Sequence, residues 1–103
     1  MGEEQLAAKI AVVTGASRGI GKGIALALAA AGARVACIAT QAGNAAATVA
    51  AIEKLGGEAI AVGCRVESAS EVSRAFAEIE HRFGSIDILV NNAEYRGPDR
   101  YSK

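Results

Sequence analysis

Thr14-Gly15-Ala16-Ser17-Arg18-Gly19-Ile20-Gly21 stands between an apolar run and an alanine-rich segment, and these residue types suit the capture of an anion. Glycines at 15, 19 and 21 let the backbone turn tightly and come close to a ligand. Exposed amides at the start of the following helix, aided by its dipole, then form a site for a pyrophosphate. A P-loop reading fails on two positions. The residue five before Gly21 is Ala16, and Gly23 stands where a Ser or Thr must hold magnesium. The competing reading is a glycine turn with no ligand. Placement at the opening of the first helix of a βαβ unit favours the ligand.

The elements that must position this loop alternate regularly. Lys9 to Thr14 is a short apolar run rich in β-branched residues, which reads as a buried strand. Gly19 to Ala31 reads as a helix closed by Gly32. Arg34 to Ala39 is a second strand, Asn44 to Leu55 a second helix, and Glu58 to Cys64 a third strand. A third helix runs to Phe83, capped by Ser68 or Ser70, with Glu71 placed as in a capping box. Its Val72, Phe76, Ile79 and Phe83 recur at three- and four-residue steps and predict one core-facing stripe. Ile86 to Val90 is a fourth strand, followed by Asn91-Asn92-Ala93. Strands this apolar, joined by single helices, predict an α/β fold with a parallel sheet covered on both faces. Right-handed crossovers make it a Rossmann-type βαβαβαβ half of a doubly wound fold, truncated, with strand order 3-2-1-4. The expected folded unit is a single dinucleotide-binding domain over 8–93, with 94–103 as a loose tail.

The pattern Thr-Gly-x-x-x-Gly-x-Gly at 14–21 resembles the cofactor loop of the short-chain dehydrogenases/reductases. Asn91-Asn92-Ala93, following the fourth strand, resembles that family's NNAG motif. The resemblance covers about residues 8 to 97, and within the family the chain is most similar to the 3-oxoacyl-acyl-carrier-protein reductase branch. It implies a nicotinamide dinucleotide held by Thr14, Gly15, Ala16, Ser17, Arg18, Gly19, Ile20 and Gly21, with Thr40, Arg65, Val66, Asn92 and Ala93 completing the site.

An NAD site usually carries Asp or Glu at the end of the second strand, and here Ala39-Thr40 stands there. Arg18 offers a guanidinium to an added 2′-phosphate. The resemblance implies that Ser17 and Thr40 contact the same phosphate. NADP(H) is therefore expected over NAD(H). Two positions depart from the family pattern. Arg65 stands where relatives carry Asp or Asn for the adenine amino group, and arginine accepts no hydrogen bond. Glu94 replaces the glycine of NNAG, a bulky charge where the backbone should pass close to the cofactor.

The family's reductases use a Ser, a Tyr and a Lys four residues after the Tyr, and no such set occurs here. Tyr101 is followed by Lys103 at a spacing of two, and Tyr95 has Asp99 at the fourth position. No catalytic residue is therefore assigned, and the expected chemistry lies beyond Lys103. Three readings remain open: a piece of an NADP-dependent 3-oxoacyl-type reductase, a non-enzymatic nucleotide-binding or dimerising module, and a decayed remnant without ligand. Self-association is expected through the open apolar edge at 86–90.

Composition narrows the partners. Eleven basic residues balance eleven acidic ones across 103 residues, so no net field draws the protein to nucleic acid or an anionic membrane. The opening MGEEQLAAK lacks the apolar core of a signal peptide, and a cytoplasmic location is expected. Cys37 and Cys64 sit in apolar runs outside any CxxC pair and read as small core residues. With 51% hydrophobic but only 4% aromatic residues, the core must be built of small aliphatic side chains.

Overall fold

The computed structural model of the chain describes residues 5–92. Four parallel strands, β1 (Ile10–Thr14), β2 (Arg34–Ala39), β3 (Glu58–Gly63) and β4 (Ile88–Val90), form one sheet in the order β3-β2-β1-β4. Three helices cross between them: α1 (Gly19–Ala30), α2 (Ala46–Lys54) and α3 (Ala69–Phe83). The order and the parallel sense are those expected. The tail at 94–103, and Ala93 with it, lies outside the described residues.

Side chains alternate between the two faces of the continuous apolar strands. Ala11 and Val13 of β1, with Val35, Cys37 and Ala39 of β2, pack against Ala25 and Ala29 of α1 and Ile52 of α2. Ile10 and Val12, with Ala36 and Ile38, pack on the other face against Ala75 and Ile79 of α3, with Phe76 and Phe83 alongside. A strand with two buried faces has no polar side to show, which is why these segments read as unbroken hydrophobic runs. Small residues, Ala25 and Ala29, make the α1 side of this core.

Two element starts are displaced by two residues from the sequence expectation and one cap is only half formed, each for a local reason. The second helix opens with a 3-10 turn at Ala42–Ala45 before α2 begins at Ala46. Gly43 and Asn44 are weak helix formers, and no side chain caps either start. At α3 the Ser68 hydroxyl accepts the Glu71 N–H at 3.3 Å. The reciprocal half of the capping box is absent, because the Glu71 carboxylate binds Arg65 and the Ser68 N–H turns to the Arg65 carbonyl at 3.0 Å. A charged guanidinium is the stronger donor.

The fourth strand starts at Ile88 rather than Ile86, because Asp87 takes over its first rung. The Asp87 N–H donates to the Ile10 carbonyl at 2.8 Å, and the Asp87 carboxylate accepts the Ile10 N–H at 2.9 Å. The side chain thus does what a strand carbonyl would do. Asp87→Ala removes that acceptor from a buried residue and is expected to lower unfolding stability by about 1–2 kcal/mol. Urea titration checks this, with Asp87→Asn expected to keep most of the loss from appearing.

The outer edge of β4, where self-association was expected, is unpaired among the described strands, and Leu89 there is 52% exposed. Among the described residues no helix is long and apolar enough to cross a membrane.

Candidate functional site

Parallel strands all end on one side of the sheet, and the loops leaving those ends enclose a cleft of about 870 Å3. Gly15, Ser17, Arg18, Gly19 and Ile20 form one wall, from the β1–α1 loop. Ile38, Ala39 and Thr40 at the end of β2, with Asn44 of the 3-10 turn, form the second. Cys64 and Val66 after β3 and Asn92 after β4 complete it. The cleft therefore sits across β1 and β4, where consecutive crossovers run in opposite directions, which is where open α/β sheets bind ligands.

The loop is built for close approach. Gly15 and Gly19 adopt φ of 66° and 61°, values that side-chain-bearing residues rarely tolerate. Gly21 is required for space: a Cβ there would overlap the Gly15 carbonyl and stand 2.7 Å from the Asn92 side-chain nitrogen. The first turn of α1 contains no acidic residue, and its N-cap, Arg18, makes no side-chain capping bond. An anion can thus meet the helix start without competition from the protein's own acceptors.

Residues after β4 brace this loop from the far end of the described chain. The Thr14 hydroxyl accepts the Asn92 N–H at 2.8 Å and donates to the Asn91 side-chain oxygen at 3.2 Å. The Asn92 side-chain amide donates to the Gly15 carbonyl at 3.4 Å. Thr14 is buried at 5% exposure and supports the site from beneath instead of lining it. Ala16 is likewise buried, and Gly21 packs under Gly15.

Of the residues expected from sequence, the structure brings Gly15, Ser17, Arg18, Gly19, Ile20, Thr40, Val66 and Asn92 to the cleft wall. Arg65 turns the other way. Its guanidinium grips the Glu71 carboxylate through Nε at 2.9 Å and a terminal nitrogen at 2.8 Å, while its backbone N–H donates to the other oxygen at 2.7 Å. These bonds hold the Glu71 carboxyl below the ordinary carboxylate range and push the Arg65 guanidinium up. The pairing is made above the ordinary carboxylate pKa and is lost as pH falls through the lowered value. Residues flanking Arg65, Cys64 and Val66, face the cleft in its place.

Ile38, Asn44 and Cys64 line the cleft without having been singled out. The position of Ile38 at a strand's C-terminal end was an available signal, whereas the turn presenting Asn44 was not. Burial, with the carboxylates of Glu71 and Glu67 nearby, pushes the Cys64 thiol up. Burial alone pushes Cys37 up to about 11. Both stay neutral thiols near pH 7, and neither has the lowered pKa of a reactive cysteine. His81 is exposed on α3, away from the cleft.

Comparison with known proteins agrees with this geometry. A family model described as short chain dehydrogenase matches residues 9–102. A 3-oxoacyl-[acyl-carrier-protein] reductase of Synechocystis is 53% identical over 89 residues, covering 85% of this chain and 36% of that protein. A 3beta-hydroxysteroid dehydrogenase of Mediterraneibacter gnavus is 39% identical, covering 89% of this chain and 33% of the relative. The chain thus spans about a third of the length of the curated relatives it matches. Among solved structures, a hydroxysteroid dehydrogenase from Escherichia coli superposes with a TM-score of 0.87 at 40% identity, covering 97% of this chain and 43% of that one. A metagenomic short-chain oxidoreductase in complex with NADP gives 0.84 at 37% identity, covering 88% and 41%.

Proposed function

The chain belongs to the short-chain dehydrogenase/reductase family, and from that premise we propose that residues 8–93 form a dinucleotide-binding unit that takes NADP(H) in preference to NAD(H). The observation that carries this reading is the makeup of the wall at the end of β2. Arg18, Ser17 and Thr40 face one cleft, and among the described residues no Asp or Glu lines it. A 2′-phosphate there meets a guanidinium and two hydroxyls. Among the described residues the ribose hydroxyls of NADH would meet no carboxylate to accept their hydrogen bonds.

The cleft fits such a group on three further counts. Its volume lies within the usual range for cofactor sites. The glycines at 15, 19 and 21 leave room for a pyrophosphate against the backbone. The uncapped start of α1 supplies amides and a positive dipole end. Loop amides hold the pyrophosphate, Ile20 offers an exposed apolar face beside it, and Arg18 with Thr40 orients the adenosine end. When bound, the nicotinamide supplies a hydride.

The parent reaction we assign is reduction of a 3-oxoacyl-type carbonyl. In that reaction NADPH, when bound, would supply a hydride for the carbonyl carbon and a proton would go to its oxygen, giving the 3-hydroxyacyl product and NADP+. The identity to the Synechocystis reductase supports this branch. No proton donor is assigned among the described residues of the cleft, so this unit is assigned binding and not turnover.

Fluorescence titration of the chain with NADPH and NADH tests the assignment. The expected result is saturable binding with NADPH at least about tenfold tighter, the scale of one charge-assisted phosphate contact. Equal affinities would remove the preference. Binding of neither would favour a remnant without ligand, and NADPH-dependent carbonyl turnover by the chain itself would overturn the division between binding and chemistry.

A further inference from the structure

Thr48 is the third residue of α2, and it is fully buried at 0% exposure. Early in a helix a threonine hydroxyl usually bonds to its own backbone. This one leaves its element: it donates to the Ala16 carbonyl at 2.8 Å, across 32 residues of chain. Ala16 is also fully buried, and its N–H donates to the Ile38 carbonyl at 3.1 Å. The two peptide groups flanking Ala16 are thereby tied to different elements, one to β2 and the other to α2.

The second of these ties has a directional consequence. The Ala16 carbonyl and the Ser17 N–H belong to one planar peptide unit, so fixing the carbonyl fixes the direction of the N–H. Ser17 and Arg18, the next residues, line the cleft wall that would meet a 2′-phosphate. We propose that Thr48, which touches no ligand itself, is a positioning residue: through the Ala16 carbonyl it aims Ser17 and Arg18 and so sets the preference for NADPH over NADH. This rests on the reading of the cleft as an NADP(H) site. The Thr48 hydroxyl gives the buried Ala16 carbonyl a donor, which valine, of the same shape, cannot do.

The test compares Thr48→Val, which deletes the hydroxyl at constant shape, with Thr48→Ser, which keeps it. Two quantities are read on the full chain: amide hydrogen exchange at Ser17–Ile20 without ligand, and the dissociation constants for NADPH and NADH. Thr48→Val is expected to speed loop exchange about tenfold and to weaken NADPH about tenfold, with NADH changed by less than about twofold; the scale is that of one buried hydrogen bond. Thr48→Ser should keep both near wild type. Should Thr48→Val not fold, Thr48→Cys keeps the size with only a weak donor and is expected to fall between. Wild-type loop exchange in Thr48→Val overturns the positioning role, as does an equal loss for both cofactors. A wild-type chain that binds neither cofactor overturns the cofactor reading and the preference with it. Exchange in the free chain still decides, in that case, whether Thr48 holds the loop.

Discussion

Gly21→Ala is expected to weaken dinucleotide binding by about 10–100-fold and to lower unfolding stability by about 1–3 kcal/mol, the range for an overpacked site. The new Cβ would run into the Gly15 carbonyl and crowd the Asn92 side-chain nitrogen at 2.7 Å. Neither neighbour yields cheaply. The Gly15 carbonyl is backbone, held at the end of β1, and Asn92 is the residue that bonds to it. Relief must come from shifting the loop or the start of α1, and either motion spreads the amides that would cradle a pyrophosphate. The same helix supplies the control. At Gly23 an added Cβ meets nothing within 4 Å. Gly23→Ala should leave binding unchanged and raise stability by about 0.5–1 kcal/mol, the helix propensity difference. Isothermal titration and urea unfolding of both variants separate a steric effect at one position from a general intolerance of α1.

Arg18→Ala is expected to weaken NADPH about 10–100-fold while changing NADH by less than about threefold, the scale of charge-assisted hydrogen bonds to a phosphate. Arg18 occupies the N-cap of α1 in an extended conformation with φ of −165°, which any residue adopts, so alanine is accommodated there without backbone strain. The loss should therefore come from the guanidinium alone. Raising salt should shrink the wild-type advantage for NADPH, since the contact is partly exposed and screened. Titration of both cofactors at two ionic strengths checks both statements. Equal losses for NADPH and NADH would mean that Arg18 acts on the shared pyrophosphate and not on the 2′-phosphate.

Much of the fold was legible because burial on two faces leaves a simple trace. Arg34–Ala39 reads as a strand and forms one over those same residues, since a parallel strand covered on both sides needs only apolar side chains. Glycine spacing at 15, 19 and 21 was equally direct, for positive φ and missing Cβ space are properties of the residue type itself. What the sequence hid were bonds between residues far apart along it. IDILV looks like an unbroken strand, and nothing in it says that Asp87 will spend its carboxylate on Ile10. Arg65 looked like a defect in an adenine site. The structure instead turns it to Glu71, six residues on, and leaves that wall to Cys64 and Val66. Thr48 had no visible role at all, because its partner is the backbone of a different crossover.

The brace between Thr14 and Asn91-Asn92 spans 77 and 78 residues of sequence. A ribosome delivers Gly15 long before it delivers Asn92, and closing so long a loop costs entropy that only the docked strand returns. The cradle, although written near the start of the chain, thus gains its brace only once β4 has docked. A nascent chain released anywhere before β4 would have the glycines and the helix but not the amide that holds the Gly15 carbonyl. Docking of β4 on β1 is therefore a condition for the brace, and a ligand of this cleft would favour those molecules in which β4 has already found β1.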